Sequence, residues 1–512
     1  MVRASGAAVG IAVVGAVGGA VAPAAAGTTA AGTGAAAGTG AGAFAHPGLL
    51  HTRTDLDRMA AKVKAGAAPY AAGFDRLTAN RHAQSGWQAR PQAVVYRGSG
   101  TPENYSLLYN DIHAAYQNAL RYHVTGESAY ADTAVAVLNA WSATLTAVNG
   151  SADRFLAAGL YGYQFANAAE LVRDHGDFEL ARFQEMLSKN FGAMSDDFLV
   201  RHNGAVVSNY WTNWDLANMA CVLATGIFCD DRAQVARAVD YFKHGAGLGA
   251  VRNAIPVLYD DGLGEWLEAG RDQGHALLGV GLMGTLCEMA WNQGIDLYGY
   301  DDSRFLKGAQ YVARWNLGGQ VPFTANTRRK GAIGGWSGSE TVTAAAGVDP
   351  SMIRPIWAMI ANHYTKRRGM SATYLTRIAA KAAPEGGGGD YGPNSGGYDQ
   401  LGFGTLAFTR DRVSAGAGDT AGDGGTAGGT TPSPTATKAS ASDSASASAS
   451  ASASVAGSAA TPAAAPSAPG KGDDLAATGS GDVVGWTAAT GITALAGGLL
   501  LLRRRGRGRQ DG

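Results

Sequence analysis

Between Ala276 and Trp291 the chain reads ALLGVGLMGTLCEMAW, and Leu277, Leu278, Val280, Leu282, Met283, Leu286 and Met289 leave no wide polar face. A helix of this kind has to be enclosed by neighbours instead of lying on a surface. Gly274, Gly279, Gly281 and Gly284 each cost about 1 kcal/mol of helix propensity relative to alanine, a penalty tolerated where close helix contacts or a ligand need the room. The chain must therefore supply enough further helices to surround this one.

It does so between His46 and about Arg410. Helical periodicity predicts segments at Thr54–Ala65, Pro69–His82, Pro102–His123, Ser128–Val148, Asp153–Asp174, Asp177–Phe198, Tyr210–Ile227, Arg232–Gly247, Gly270–Trp291, Ser303–Trp315, Ser351–Tyr364 and Ser371–Lys381. Strand-like alternation is scarce. Amphipathic segments alternate with glycine-bearing apolar ones, which predicts helical hairpins in two concentric rings, an all-α, α/α toroid. No fixed repeat period supports a stacked solenoid.

The ends read differently. Residues 1–26 carry one early arginine, the apolar run IAVVGAVGGAVA and a small-residue end, the pattern of a secretory signal peptide. Residues 27–45 are almost wholly Gly, Ala and Thr, and are expected to be a disordered lead. Residues 411–474 form a Ser/Ala/Pro-rich stalk. Residues 475–512 hold Leu475-Ala476-Ala477-Thr478-Gly479, an apolar stretch over 483–502 and then Arg503, Arg504 and Arg505. That stretch is long enough to cross a bilayer, with the arginines holding its end in the cytoplasm.

Lysine plus arginine balances aspartate plus glutamate at 41 each, so no basic field recruits nucleic acid. Cys221, Cys229 and Cys287 cannot all pair within one chain, although Cys221 with Cys229 can be written as a bridge. No HExxH occurs and no histidine pair has metal-binding spacing, so neither metal nor cofactor is expected.

Two motifs can carry chemistry. In EWLEAGRDQGHALLG, helical spacing puts Glu268, Arg271 or Asp272, and His275 on one face. In SNYWTNWDLANMA, Asn209 and Asn213 stand one turn apart beside Tyr210 and Trp214, at the start of a helix expected to neighbour the first. Taken alone, Asn at a helix start commonly caps, Trp and Tyr commonly pack, and Arg271 with Glu268 makes a structural ion pair. Tyr298 and Tyr300 follow in GIDLYGYDD, and a phenol beside Arg271 and His275 would lose its proton more readily.

These two motifs, with His46-Pro47-Gly48-Leu49-Leu50-His51 and WNQGIDLYGY, resemble the alginate lyase superfamily across residues 46–410, most closely secreted bacterial proteins related to polysaccharide lyase families 5 and 38. The resemblance implies an α/α toroid that cleaves a uronic-acid polysaccharide by β-elimination. It implies Asn213 and Arg271 as neutralisers of the uronate carboxylate, aided by a protonated Glu268, with His275 as base or orienter. Tyr298, and after it Tyr300, is the implied acid and base; Asn209, Tyr210, Trp214, Glu268, Tyr300 and His202 line the substrate. Family-5 enzymes carry Asn-Asn-His-x-Tyr-Trp where this chain has Ser208-Asn209-Tyr210-Trp211-Thr212-Asn213-Trp214, without histidine, which moves the histidine role to His275 or His202.

The C-terminal order of motif, apolar segment and basic tail resembles the sorting signal of Gram-positive surface proteins. It implies cleavage between Thr478 and Gly479 by a sortase, transfer to peptidoglycan and only transient membrane insertion; a plain membrane anchor facing outside is the alternative. For the catalytic domain, Asp260, Asp261, Glu265, Glu268 and Asp272 offer a glycoside hydrolase reading. A non-catalytic glycan-binding surface protein is a third reading.

Overall fold

The computed structural model describes residues 43–98, 103–335, 337–389 and 398–412, and from Phe44 onward these belong to one compact unit. The expected signal peptide, the stalk beyond Arg412, the sorting residues Thr478 and Gly479 and the apolar stretch at 483–502 lie outside the described residues. Among the described residues no helix is long and apolar enough to cross a membrane.

The helices begin with α1 (Arg53–Lys64), α2 (Tyr70–Thr78), α3 (Tyr105–Thr125), α4 (Ser128–Thr144) and α5 (Asp153–Glu170). Then come α6 (Leu180–Leu187), α7 (Ala193–Arg201), α8 (Thr212–Phe228), α9 (Arg232–His244) and α10 (Val251–Ala254). The last are α11 (Gln273–Asn292), α12 (Tyr300–Asn316), α13 (Trp357–Asn362), α14 (Thr373–Ala382) and α15 (Gly404–Ala407). Their starts follow local chemistry. Thr52, Asp231 and Asp272 each accept a hydrogen bond from a backbone N–H of the first turn of α1, α9 and α11, satisfying amides the helix itself leaves unpaired.

An inner ring runs from α3 to α5, α8, α11 and α13, each packed on the next, then through α15 and α1 back to α3. Around it α4 packs on α3, α9 on α8 and α12 on α11. The expected α/α toroid is thus the fold, and burial follows it: every residue of α8 is buried, whereas α9 buries only Gln234, Val235, Ala238 and Phe242. The glycines of α11 serve close approach. A Cβ at Gly279 would stand 2.8 Å from the Trp266 ring, and one at Gly284 2.9 Å from Ile360.

Two departures matter for function. Glu268, Arg271 and His275 do not share one helix: Leu267–Gly270 is a 3₁₀ turn, and α11 starts only after Asp272, whose side chain takes the His275 N–H at 2.8 Å. Second, two short sheets exist where helix or loop was expected. Strand β1 (Val94–Arg97) pairs in parallel with β2 (Ala147–Gly150), and β3 (Asn326–Gly331) pairs antiparallel with β4 (Ser337–Val342). All three cysteines are free, Cys221 and Cys287 buried.

At the other end of the ring the chain is tied to itself. His46 Nδ1 lies 2.7 Å from Glu170 Oε1 at the end of α5, and the Asn292 side chain donates to Leu49 O at 2.6 Å. Arg410 reaches both Asp55 of α1 and Glu288 of α11, and Arg367 pairs with Glu288 at 2.9 Å. Asp55 and Glu288 are almost fully buried and fully paired, so this network joins α1 to α11.

Candidate active site

At the N-terminal ends of α8 and α11 the two motifs meet. The Asn213 N–H donates to Glu268 Oε2 at 3.1 Å, and Arg271 Nη1 donates to Glu268 Oε1 at 3.1 Å. Arg271 Nε stands 3.5 Å from Asp272 Oδ2, and the same carboxylate lies 2.7 Å from His275 Nδ1. The Asn213 amide is fully buried and neither Oδ1 nor Nδ2 has a partner among the described residues. Leaving such a group unpaired costs about 1–3 kcal/mol, which a group bound beside Arg271 would offset. The Asn213 N–H belongs to the first turn of α8, whose N-terminal partial positive charge favours an anion.

Burial sets the protonation states. Burial pushes Glu268 up to about 8, the Arg271 guanidinium only partly opposing the rise. Asp272 goes the other way: burial raises it, but the hydrogen bond from His275 and the charges of His275 and Arg271 outweigh that and hold it near 2. Burial also lowers His275 below its usual value against the pull of Asp272. At neutral pH this gives a neutral Glu268 carboxyl, an Asp272 carboxylate and a neutral imidazole. With Nδ1–H donated to Asp272, Nε2 is the basic nitrogen, an arrangement suited to general-base work.

The β3–β4 hairpin roofs this cluster. Arg328 donates from Nε to Glu340 Oε2 at 2.7 Å and from Nη1 to Ser208 O at 3.2 Å, and its guanidinium lies 4.3 Å over the Trp211 ring. Arg271 stands on the same ring at 5.9 Å. Asn209 Oδ1 accepts from Gly331 N at 2.8 Å, so Asn209 fastens the hairpin to the entrance of α8 and is spent there. Arg328 and Trp211 were not among the expected site residues. Arg328 sits in a polar stretch without periodicity, so no local signal marks it.

The remaining expected residues are placed apart. Tyr298 is fully buried beyond the far end of α11: its hydroxyl donates to Gly284 O or Glu288 Oε2, both at 3.2 Å, and its ring stacks 3.6 Å from His363. Gly284 and Glu288 lie about 13 to 20 Å along α11 from His275 at 1.5 Å per residue, so Tyr298 cannot be the acid and base there. Tyr300 opens α12 against Phe242 and His244. His202 is buried with Nε2 3.0 Å from Asp215 Oδ1 and 3.1 Å from the Tyr241 hydroxyl. Tyr210 and Trp214 pack together with ring centroids 4.6 Å apart, against Phe198. These last three serve the core and the mounting of α8.

For the hydrolase reading, Glu265 is already spent: it accepts from the Tyr259 hydroxyl and from Thr324 N. No cluster of His, Cys, Asp and Glu able to hold a metal occurs among the described residues. A narrow space inside the ring lined by Tyr116, Tyr163, Thr285, Glu385 and Gln400 contains none of the site residues, which gather at the N-terminal ends of α8 and α11.

An alginate lyase from Bacteroides ovatus is similar at 14% identity and a TM-score of 0.37, over 51% of this chain and 82% of that one. Alginate lyase A1-III from Sphingomonas species A1 is similar at 17% identity and a TM-score of 0.36, over 51% and 76%. An apo variant of that enzyme is similar at 15% identity and a TM-score of 0.43, over 70% and 95%. No curated protein matches the chain. Residues 64–323, just over half of the chain, match the family model described as Alginate lyase, so the chain belongs to the alginate lyase family and is a polysaccharide lyase.

Proposed function

We propose that the protein cleaves an alginate-like or glucuronan-like polyuronate by β-elimination at the Asn213, Arg271 and His275 cluster. Removing the C5 proton of a uronate builds negative charge beside a carboxylate that is already ionised. Arg271, the unpaired Asn213 amide and a neutral Glu268 carboxyl offer three donors to that carboxylate, and each such donor typically lowers a barrier by about 3–4 kcal/mol. Asp272 holds the His275 ring so that Nε2 takes the C5 proton. The C5–H electrons form the C4–C5 double bond as the C4–O4 bond breaks, and the imidazolium returns its proton to O4 when both lie on one face of the ring. The observation that carries this reading is the buried, unpartnered Asn213 amide beside the Arg271–Glu268 pair.

The test is a panel of polyuronates followed by ultraviolet absorbance of the unsaturated product; reducing ends without that absorbance would overturn the reading in favour of hydrolysis. The pH profile is a sharper check. A base must be unprotonated, so kcat/KM should fall on acidification below the ordinary histidine range, following the lowered His275. A donor carboxyl must be protonated, so kcat/KM should also fall as pH rises through about 8, and Glu268→Gln should remove that alkaline limb.

Secretion and wall attachment are part of the same proposal, supported by the signal-like N-terminus and by the LAATG motif with its apolar and basic followers. Release of the protein from intact cells by wall-digesting enzyme, lost on deleting 475–479, is the expected result; release by detergent alone would favour a membrane anchor.

A further inference from the structure

Three arginines are buried among the described residues. Two are ion-paired, Arg328 with Glu340 and Arg354 with Asp399. Arg97, the last residue of β1 and 8% exposed, has no carboxylate within ion-pair distance among the described residues. Its Nη1 donates to the Tyr161 hydroxyl at 3.2 Å, and its guanidinium lies over the rings of Tyr105 at 5.0 Å and Tyr161 at 5.7 Å. A guanidinium cannot shed its charge, and because Asp399 and Asp153 favour it only from beyond ion-pair distance, its fork has no direct carboxylate, which a ligand can supply.

The surroundings fit a sugar polymer. Tyr105 and Tyr109, half-buried on the first turns of α3, stand with centroids 5.9 Å apart, and Tyr109 stacks on Tyr398 at 4.8 Å. Next to Tyr398, Asp399 is already taken by Arg354 and lies within electrostatic reach of both Arg97 and His275. Tyr161 stands on α5, whose Gly159 packs against Ala217 near the start of α8, so Arg97 lies on the same side of the ring as the catalytic cluster.

We propose that Arg97, flanked by Tyr105 and Tyr109, binds the carboxylate of a second uronate in the bound chain and so selects a polyanion over a neutral glycan. This rests on the polyuronate reading above. A polyuronate carries a carboxylate on every residue, so a second buried cation on the catalytic side of the ring has a partner in the same polymer.

The experiment measures binding by calorimetry with His275→Ala protein, in which the polymer survives, using a polyuronate and the same polymer with its carboxyls reduced to alcohols. Adding Arg97→Gln should weaken polyuronate binding about tenfold, the scale of one charge-assisted contact, and leave the reduced polymer unaffected. Arg97→Lys, which keeps a cation and is the safer variant for folding, should lose about threefold on the polyuronate alone, since the planar fork is gone. Unchanged polyuronate binding in both variants, equal losses on both polymers, or no polyuronate binding by the parent protein would each overturn the proposal. Absence of unsaturated product from the wild type, with the Arg97 effect intact, would instead remove the elimination chemistry and leave this subsite standing.

Discussion

Replacing His275 with alanine should lower kcat on a cleaved polyuronate by about 10²- to 10⁴-fold, the range general-base removal usually gives. The loss should appear in kcat with little change in KM, because the imidazole acts on C5 and does not hold the carboxylate. Folding should be nearly unaffected: His275 is the third residue of α11, and the capping contact from Asp272 goes to its backbone N–H, which alanine keeps. Asp272→Asn, leaving His275 in place, should give a smaller fall and misorient the ring, since Nδ1–H would lose a carboxylate acceptor at 2.7 Å. Tyr298→Phe should leave turnover unchanged. If Tyr298→Phe abolished activity while His275→Ala did not, the assignment of the base would be wrong.

Arg271→Ala should cost about 10²- to 10³-fold in kcat/KM, the scale of losing one preorganised donor to developing charge. The stability penalty should nevertheless be modest. Stripping one partner from a buried ion pair usually strands the other charge, at about 3–5 kcal/mol. Glu268 escapes this because burial already pushes its carboxyl up to about 8, so that it stays neutral when the guanidinium is removed. Arg271→Lys should recover only part of the rate, because a point charge does not reproduce the planar fork that faces a carboxylate. Melting temperature measured beside initial rates separates the two effects; a large drop in stability with unchanged kcat/KM would make Arg271 a structural residue.

The helices were legible because an inner helix announces itself. A segment such as Thr212–Phe228, buried on all sides, carries apolar residues all round, and its amphipathic outer partner Arg232–His244 carries them on one face. The meeting of Asn213 with Arg271 was legible for the same reason, since both open neighbouring inner helices. What failed was local. Asp272 as a cap starts α11 three residues later than the periodicity alone predicts, which takes Glu268 and Arg271 off the helix. Tyr298 lay close in sequence to the motif, but a long helix separates the two in space. The β3–β4 hairpin holds polar residues on both faces and is held by pairs such as Arg328 with Glu340 and Thr327 with Thr341, the latter hydroxyls 2.7 Å apart, so neither period 2 nor period 3.6 is present to be read.

The tie between Asp55, Arg410 and Glu288 has a consequence for orientation. Helix α11 is about 30 Å long at 1.5 Å per residue, with the catalytic cluster at its first turn and Glu288 just before its last turn. His46 and Arg410 are both moored at that last-turn end. The described chain therefore ends at Arg412 on the floor of the ring, and the catalytic cluster opens toward the opposite side.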